Sequence, residues 1–138
     1  MNLFIDRKAL AGFRRRALRR YPLEYIETLW GMSNKSGGVS IVEFRQLDHE
    51  ATTDSVEFDA EDTEAGIRDG KLTQLGTIHT HPDMAYCEPS EDDWHDAGDR
   101  KEIIIGVMAI PARAPDKPVR RSRVQFYFAQ ALCNTTVQ

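Results

Sequence analysis

The feature that most constrains the fold is the apolar run EIIIGVMAI, residues 102–110. After its first residue it has no charged side chain, although a strand with one face in water would place a polar residue at every second position. Continuous apolar runs of this length are typical of strands buried on both faces. We therefore expect a strand of this kind inside a sheet.

The segments around this run predict helices and further strands. From Asp6, a predicted N-cap, apolar residues recur at helical spacing until Pro22 ends the pattern. Residues 23–31 and 39–47 flank the turn MSNKSGG and predict a hairpin. The other predicted elements are strands at 55–59, 72–81 and 122–130, a short helix at 60–70, a helix starting at Ser90, and a proline-rich loop at 111–118. This order, which begins with a helix, predicts an α/β fold with helices packed on a mixed sheet.

Length and charge bound the domain organisation and the compartment. Residues 1–138 have the size of a single domain. No apolar run approaches the roughly 20 residues of a membrane helix, and the N-terminus has no signal-peptide core, so we expect a cytoplasmic protein without a membrane partner. Both cysteines are expected to be reduced. The first helix is strongly basic, which we interpret as a solvated face; binding of an acidic partner or nucleic acid is the alternative.

The stretch GTIHTHPDMAYCEPSEDDWHD, residues 76–96, contains the candidate chemistry. Because side chains alternate along a strand, His79 and His81 are expected to point to the same face. Pro82 ends the strand, and a return loop leads to Ser90, which opens a helix with Asp93 in its first turn. A catalytic zinc site needs three protein ligands and an open position for water. The spacing therefore predicts that the two histidines and Asp93 bind one metal ion, with the Ser90 hydroxyl beside it.

Each part of this pattern also has a purely structural interpretation. Ser90 followed three residues later by Asp93 resembles a capping box, which is common at helix starts. One histidine of an HxH pair is often only hydrogen-bonded in a core. The other acidic residues and histidines considered are interpreted as helix-start or surface residues: Asp92, Asp96, His49 and His95. Only the conjunction of the parts favours a metal site.

The segment HTHPDMAYCEPSEDD, residues 79–93, matches HxHPx7SxxD without a gap and resembles the JAMM (MPN+) metalloprotease motif. Members of that family also carry an early glutamate in a pattern like ExxGLxxG, to which PLEYIETLWG, residues 22–31, is similar. The resemblance implies that Glu24 is the general base and that Ser90 donates a hydrogen bond to the oxyanion. Glu27 stands where the family usually has glycine, and it is the alternative base. The implied fold is the JAB1/MPN fold, a cytidine-deaminase-like mixed sheet flanked by helices.

The resemblance also implies a reaction and its partners. The reaction is hydrolysis of an amide with one Zn²⁺ ion, often the isopeptide bond between the C-terminal tail of a ubiquitin-like protein and a lysine. Segments 57–66 and 83–89 are the expected substrate contacts, with Met84 and Tyr86 as candidates, and Cys87, in the loop over the metal, is expected to be an inert thiol. The chain lacks the long insertions of eukaryotic deubiquitinases, which favours a short prokaryotic or phage member.

Several alternatives to this reaction stay open. One is a non-catalytic MPN scaffold, and another is a JAMM peptidase acting on a sulfur-carrier protein, on conjugates in an antiviral operon, or on a phage tail or cell-wall substrate. A third is an α/β domain without a metal. The sequence does not define the oligomeric state or the modifier.

Overall fold

The structure, a computed structural model, describes residues 1–84, 87–99, 104–111 and 122–138. Most of the predicted proline-rich loop and Tyr86 lie outside these ranges. The helices are α1 (Arg7–Arg20) and α2 (Glu91–Asp99), with a 3₁₀ helix at Ala60–Thr63. The strands are β1 (Asn2–Ile5), β2 (Ile26–Ser33), β3 (Val39–Gln46), β4 (His49–Ala51), β5 (Val56–Phe58), β6 (Arg68–Asp69), β7 (Leu72–Pro82), β8 (Ile104–Ile110), β9 (Arg123–Phe128), β10 (Ala131–Leu132) and β11 (Asn134–Val137). Within the described ranges no helix combines the length and apolarity needed to cross a membrane.

Most of these strands form one mixed sheet. Its order is β10-β9-β8-β7-β2-β3-β1-β11, and the short β6 pairs with β7. Strands β7 and β8 are parallel, whereas β2 is antiparallel to both of its neighbours, β3 and β7. Strands β4 and β5 form a separate two-stranded ribbon. The predicted mixed α/β fold and the predicted β2–β3 hairpin are confirmed.

The two faces of the sheet are covered by different elements. Every residue of β8 is buried, as its apolar run predicts. Alternate residues of the strand belong to a core shared with α1, namely Ile104, Met108 and Ile110. The residues between them pack with α2 residues Trp94 and Ala97, namely Ile105, Val107 and Ala109. We call these two sides the α1 face and the α2 face.

Helix α1 begins where the sequence predicts and is fixed to the sheet by its apolar side. The Asp6 side chain accepts a hydrogen bond from the amide of Ala9 at 2.8 Å, which caps the helix. Phe13 is fully buried and stacks on Phe44 at a ring distance of 5.4 Å. Full burial of one such side chain stabilises a protein by about 1.5–3 kcal/mol. Apolar burial therefore holds this strongly basic helix on the sheet.

Three sequence-based expectations on the fold are wrong in detail, and three short strands were not predicted. The chain begins with strand β1 and not with a helix, because four residues are too few to show a period and their partners, β3 and β11, lie far along the chain. Residues 60–70 form one 3₁₀ turn followed by β6, not a continuous helix. The first long strand begins at Ile26, so Glu24 precedes it. Strands β4, β10 and β11 were not predicted, since they are short and mostly exposed.

Candidate metal centre

Two histidines and an aspartate converge beside the C-terminal end of β7. His79 and His81 lie on the α2 face, and each is 6% exposed. Their Nε2 atoms are 2.9 Å apart, and Asp93 Oδ2 lies 3.0 Å from the first and 3.2 Å from the second. Two imidazole nitrogens and a carboxylate oxygen this close together can hold a single metal ion. The structure thus brings together the three residues that the spacing predicts as ligands.

Asp93 is held in place by the start of helix α2. Its Oδ2 accepts a hydrogen bond from the amide of Ser90 at 2.8 Å, and its own amide donates to Ser90 Oγ at 3.0 Å. This reciprocal pair is a capping box, so the structural interpretation of the sequence is correct. It does not exclude the metal site, because the capping oxygen is the atom that faces the histidines. The cap therefore orients Asp93 Oδ2 toward the two histidines.

The protonation state of Asp93 suits a ligand. Burial opposes its ionisation, but the contacts with His79 and His81 and the hydrogen bond from the Ser90 amide outweigh burial and hold the pKa of Asp93 well below its usual range. The carboxylate is therefore charged at neutral pH. An ionised carboxylate is the form that binds a metal cation.

Glu24 lies beside these three residues, in the segment that leads into β2. Its backbone amide donates to Thr52 O at 2.8 Å, and the residue is only 9% exposed. Burial raises the pKa of Glu24 to about 7, partly offset by His79 and reinforced by Asp93 and Asp54. The carboxylate belongs to the same cavity wall as the triad. Its assignment as the base stays a prediction, which this position supports.

Glu27, the alternative base, lies on the α1 face. Its side chain is completely buried, and its two oxygens accept hydrogen bonds from Arg16 of α1 at 2.6 and 2.8 Å. Tyr25 OH also donates to it. Desolvation by burial, reinforced by the neighbouring Glu27, raises the pKa of the Tyr25 hydroxyl, so that hydroxyl remains protonated as a donor. Glu27 is thus committed to anchoring α1 on the sheet and does not line the cavity of the triad.

Thr80 joins the segment of Glu24 to the strand of the histidines. Its Oγ1 accepts a hydrogen bond from the Tyr25 amide at 2.9 Å, and its own amide donates to Tyr25 O at 2.9 Å. Because Thr80 lies between His79 and His81, these two hydrogen bonds fix the backbone next to Glu24 relative to both histidines. Thr80 lies on the opposite face from the histidines, because side chains alternate along β7, and sequence reasoning missed this function. The signal available in the sequence was the hydroxyl of the β-branched residue between the two histidines, which can accept a hydrogen bond from a neighbouring backbone amide.

The triad and Glu24 share an open cavity of about 770 Å³. The β4–β5 ribbon and the loop between them form one wall, and the start of α2 forms the other. Met84 lines the cavity, which is consistent with the predicted substrate contact. Its role stays a prediction. Asp92 and Asp96, which the sequence suggested only as helix-start charges, also line it.

Two other expectations about this region need correction. Cys87 does not line the cavity: it is 3% exposed, packs in the core of the α2 face, and donates from Sγ to Arg123 O at 3.0 Å. His49 is not a simple surface residue but half-buried, with its ring edge against Tyr25 at 5.4 Å. Both side chains are covered through contacts between distant residues that the sequence pattern does not reveal, with β9 for Cys87 and with Tyr25 for His49.

The pKa of Glu24 predicts how the metal-free protein responds to pH. Because the folded state keeps this carboxyl protonated up to about pH 7 while the unfolded state releases the proton near its ordinary pKa, stability falls as pH rises between those values. Glu24→Gln removes this effect. The variant is expected to match wild type at about pH 4 and to be more stable by about 1–3 kcal/mol at about pH 8. Chemical unfolding with chelator present measures the difference in unfolding free energy between the variant and wild type. A difference that does not change with pH would contradict the prediction.

The chain is similar to known proteins in sequence pattern and in fold. Residues 6–125 match the family model described as prokaryotic homologs of the JAB domain. A JAB1/MPN domain protein from Archaeoglobus fulgidus shares the fold with a TM-score of 0.63 and 18% identity, over 99% of this chain and 98% of that chain. A protein from Desulfitobacterium hafniense, known from a solution structure, has a TM-score of 0.67 and 15% identity, over 99% of this chain and 92% of that chain. Comparison with curated proteins finds no significant match.

These similarities agree with the geometry of the site. The family match spans most of the chain and includes the strand and the helix that carry the candidate ligands. The predicted JAB1/MPN fold is confirmed by structures that align along nearly the whole chain. The chain therefore belongs to the family of prokaryotic homologs of the JAB domain, which includes metallopeptidases.

Proposed function

We propose that this protein is a zinc-dependent hydrolase of peptide or isopeptide bonds that processes or removes a ubiquitin-like modifier at its C-terminal tail. The observation that carries the proposal is the placement of Glu24. The carboxylate of this largely buried residue, with a pKa of about 7, lines the same cavity as the three residues that could hold a metal ion. A scaffold protein has no need of a proton-transfer group beside a metal triad.

The triad fits zinc by its chemistry. Two imidazole nitrogens and one carboxylate oxygen are common zinc donors, and three protein ligands leave one coordination position open. A zinc ion held by His79, His81 and Asp93 would supply Lewis acidity toward a carbonyl oxygen and would lower the pKa of water.

Glu24 provides the proton transfer that amide hydrolysis requires. Its carboxylate accepts a proton from the attacking water and then delivers that proton to the departing amine. A pKa near neutrality suits both steps, because the group must gain and lose a proton at the same pH. The two hydrogen bonds between Tyr25 and Thr80 hold the backbone beside Glu24 during the reaction.

Ser90 has a hydroxyl proton available for the oxyanion. Its Oγ accepts the hydrogen bond from the Asp93 amide, and accepting leaves the O–H free to donate elsewhere. Ser90 is exposed at the edge of the cavity. In the proposed reaction it donates to the negative oxygen of the tetrahedral intermediate.

Cleavage of defined amides tests the proposal. Zinc-loaded protein is incubated with ubiquitin-like domains joined through their C-terminal glycine either to a lysine side chain or to a linear peptide, and the products are weighed by mass spectrometry. We expect cleavage directly after the last residue of the modifier, loss of cleavage with chelator, and recovery with added zinc. A protein that binds zinc and leaves every such amide intact would be a scaffold of the same fold.

A further inference from the structure

The described residues that carry a charge in the cavity of the candidate site are all acidic. Besides the triad and Glu24, five carboxylates line it, and no lysine or arginine of the described residues does so. We call these five residues the acidic rim: Asp54, Glu57, Glu88, Asp92 and Asp96. A dication bound by the triad would leave the acidic rim without a compensating charge from the described part of the chain. Glu24, a residue that is only 9% exposed and lines the same cavity, also accepts no side-chain hydrogen bond from the described residues.

Helix electrostatics explains only a small part of the acidic rim. Acidic residues in the first turn of a helix are favoured by the helix dipole, which accounts for Asp92. The effect fades after the first turn, so it does not account for Asp96. Asp54 and Glu57 belong to the β4–β5 ribbon and have no helix to stabilise.

Two pairs in this region cost the fold stability. Asp92 and Asp96 are four residues apart on α2, where like charges repel. Glu57 lies directly opposite Glu50 across the β4–β5 ribbon, and like charges in this position are also destabilising. Repulsive pairs on both walls of one cavity are expected where a ligand supplies the opposite charge.

The charge of the described residues is divided in a similar way. Helix α1 has seven basic and no acidic residues, and it covers the other side of the sheet. In the described part of the chain the basic helix and the acidic rim therefore lie on opposite sides of the sheet, although the net charge of the chain is only -4. A cleft lined by one sign of charge concentrates ligands of the opposite sign.

We infer that the acidic rim selects substrates with lysine or arginine side chains close to the scissile amide. This inference rests on the proposed function, because it assigns the charge of the peptide that enters the same cavity. The two walls contact basic side chains of one extended peptide, with Asp92 and Asp96 on the α2 wall and Asp54 and Glu57 on the ribbon wall.

Peptide binding tests the inference without turnover. Zinc-loaded Glu24→Gln protein is titrated against two fluorescein-labelled hexapeptides, one with arginine at two positions and one with the neutral isostere citrulline at the same positions. We expect the arginine peptide to bind about tenfold tighter, with a preference that weakens as salt rises. In Asp92→Asn/Asp96→Asn the preference should fall to about threefold or less, while thermal stability is unchanged or increased because repulsion is relieved.

The matched control is Glu43→Gln/Asp69→Asn, which removes two exposed charges outside the cavity and should keep the full preference. Equal affinity for both peptides, or an equal loss in both double variants, would overturn the inference. Spermidine that competes as well as the arginine peptide would also overturn it, since the site would then bind cations in general. Arginine preference without cleavage of any amide would sink only the proposed function, whereas cleavage without a charge preference would sink only this inference.

Discussion

Replacing one ligand is expected to remove the metal from the protein. Wild-type protein should carry close to one equivalent of zinc after desalting, whereas His79→Ala and Asp93→Ala should carry almost none. Substitutions around a metal ligand already reduce affinity by about 10–100-fold, so loss of the ligand itself should cost more than about 100-fold. Metal analysis by mass spectrometry measures this. Freshly purified wild-type protein without metal would contradict the site.

A stability measurement separates loss of metal from loss of fold. Zinc at about 1,000 times its dissociation constant should stabilise the wild type by about 4 kcal/mol, and neither variant should respond. Asp93→Asn is the sharper variant, because an amide oxygen can still accept the Ser90 amide while the negative charge is lost. It should keep the stability of the metal-free protein and lose the metal. His95→Ala, an exposed position on the same helix outside the triad, is the control and should retain both.

Replacing Glu24 is expected to stop turnover without removing the metal. Glu24→Gln keeps the size of the side chain but cannot accept a proton, and loss of a positioned general base typically slows a reaction by about 10²–10⁴-fold. Zinc content should equal that of the wild type, since Glu24 is not part of the triad. Initial rates on the isopeptide substrate, measured with equal amounts of zinc-loaded protein, give the ratio of wild-type to variant turnover.

Glu27→Gln is the matched comparison, three residues along the same segment. It weakens a buried ion pair with Arg16, so the free energy of unfolding should fall by about 3 kcal/mol or more. The fraction that remains folded should still turn over close to the wild-type rate, because Glu27 faces away from the cavity. Turnover lost in Glu27→Gln with bound zinc and intact fold, but kept in Glu24→Gln, would reverse the assignment.

The site was accessible to sequence reasoning because its ligands are local. Two residues on one strand face and one in the next helical turn follow from the alternation of a strand and from a cap, and both are short-range rules. The preference for Glu24 over Glu27 came from the resemblance of residues 22–31 to the family pattern. Glu24 lines the cavity and Glu27 lies under α1, although Glu24 precedes β2 and strand alternation does not reach it.

The parts that the sequence did not reveal depend on contacts between distant residues. Strand β1 exists because β3 and β11 pair with it, and neither is near it in the chain. Asp54 reaches the cavity only through the way the β4–β5 ribbon folds over the sheet. No periodicity within residues 48–58 indicates that this segment reaches the cavity. The acidic rim is therefore a property of the tertiary structure.

The capping box of α2 has a consequence for how this site can be lost over time. Since the amide of Ser90 and the two histidines all approach Asp93 Oδ2, a mutation of Asp93 removes a helix cap together with a ligand. Only half of the capping box would be lost, since the Ser90 hydroxyl can still accept from the amide of residue 93. A lineage that abandons the chemistry is therefore expected to keep an acceptor such as glutamate or glutamine at this position, and that residue without the histidines is the trace that an ancestral metal site would leave.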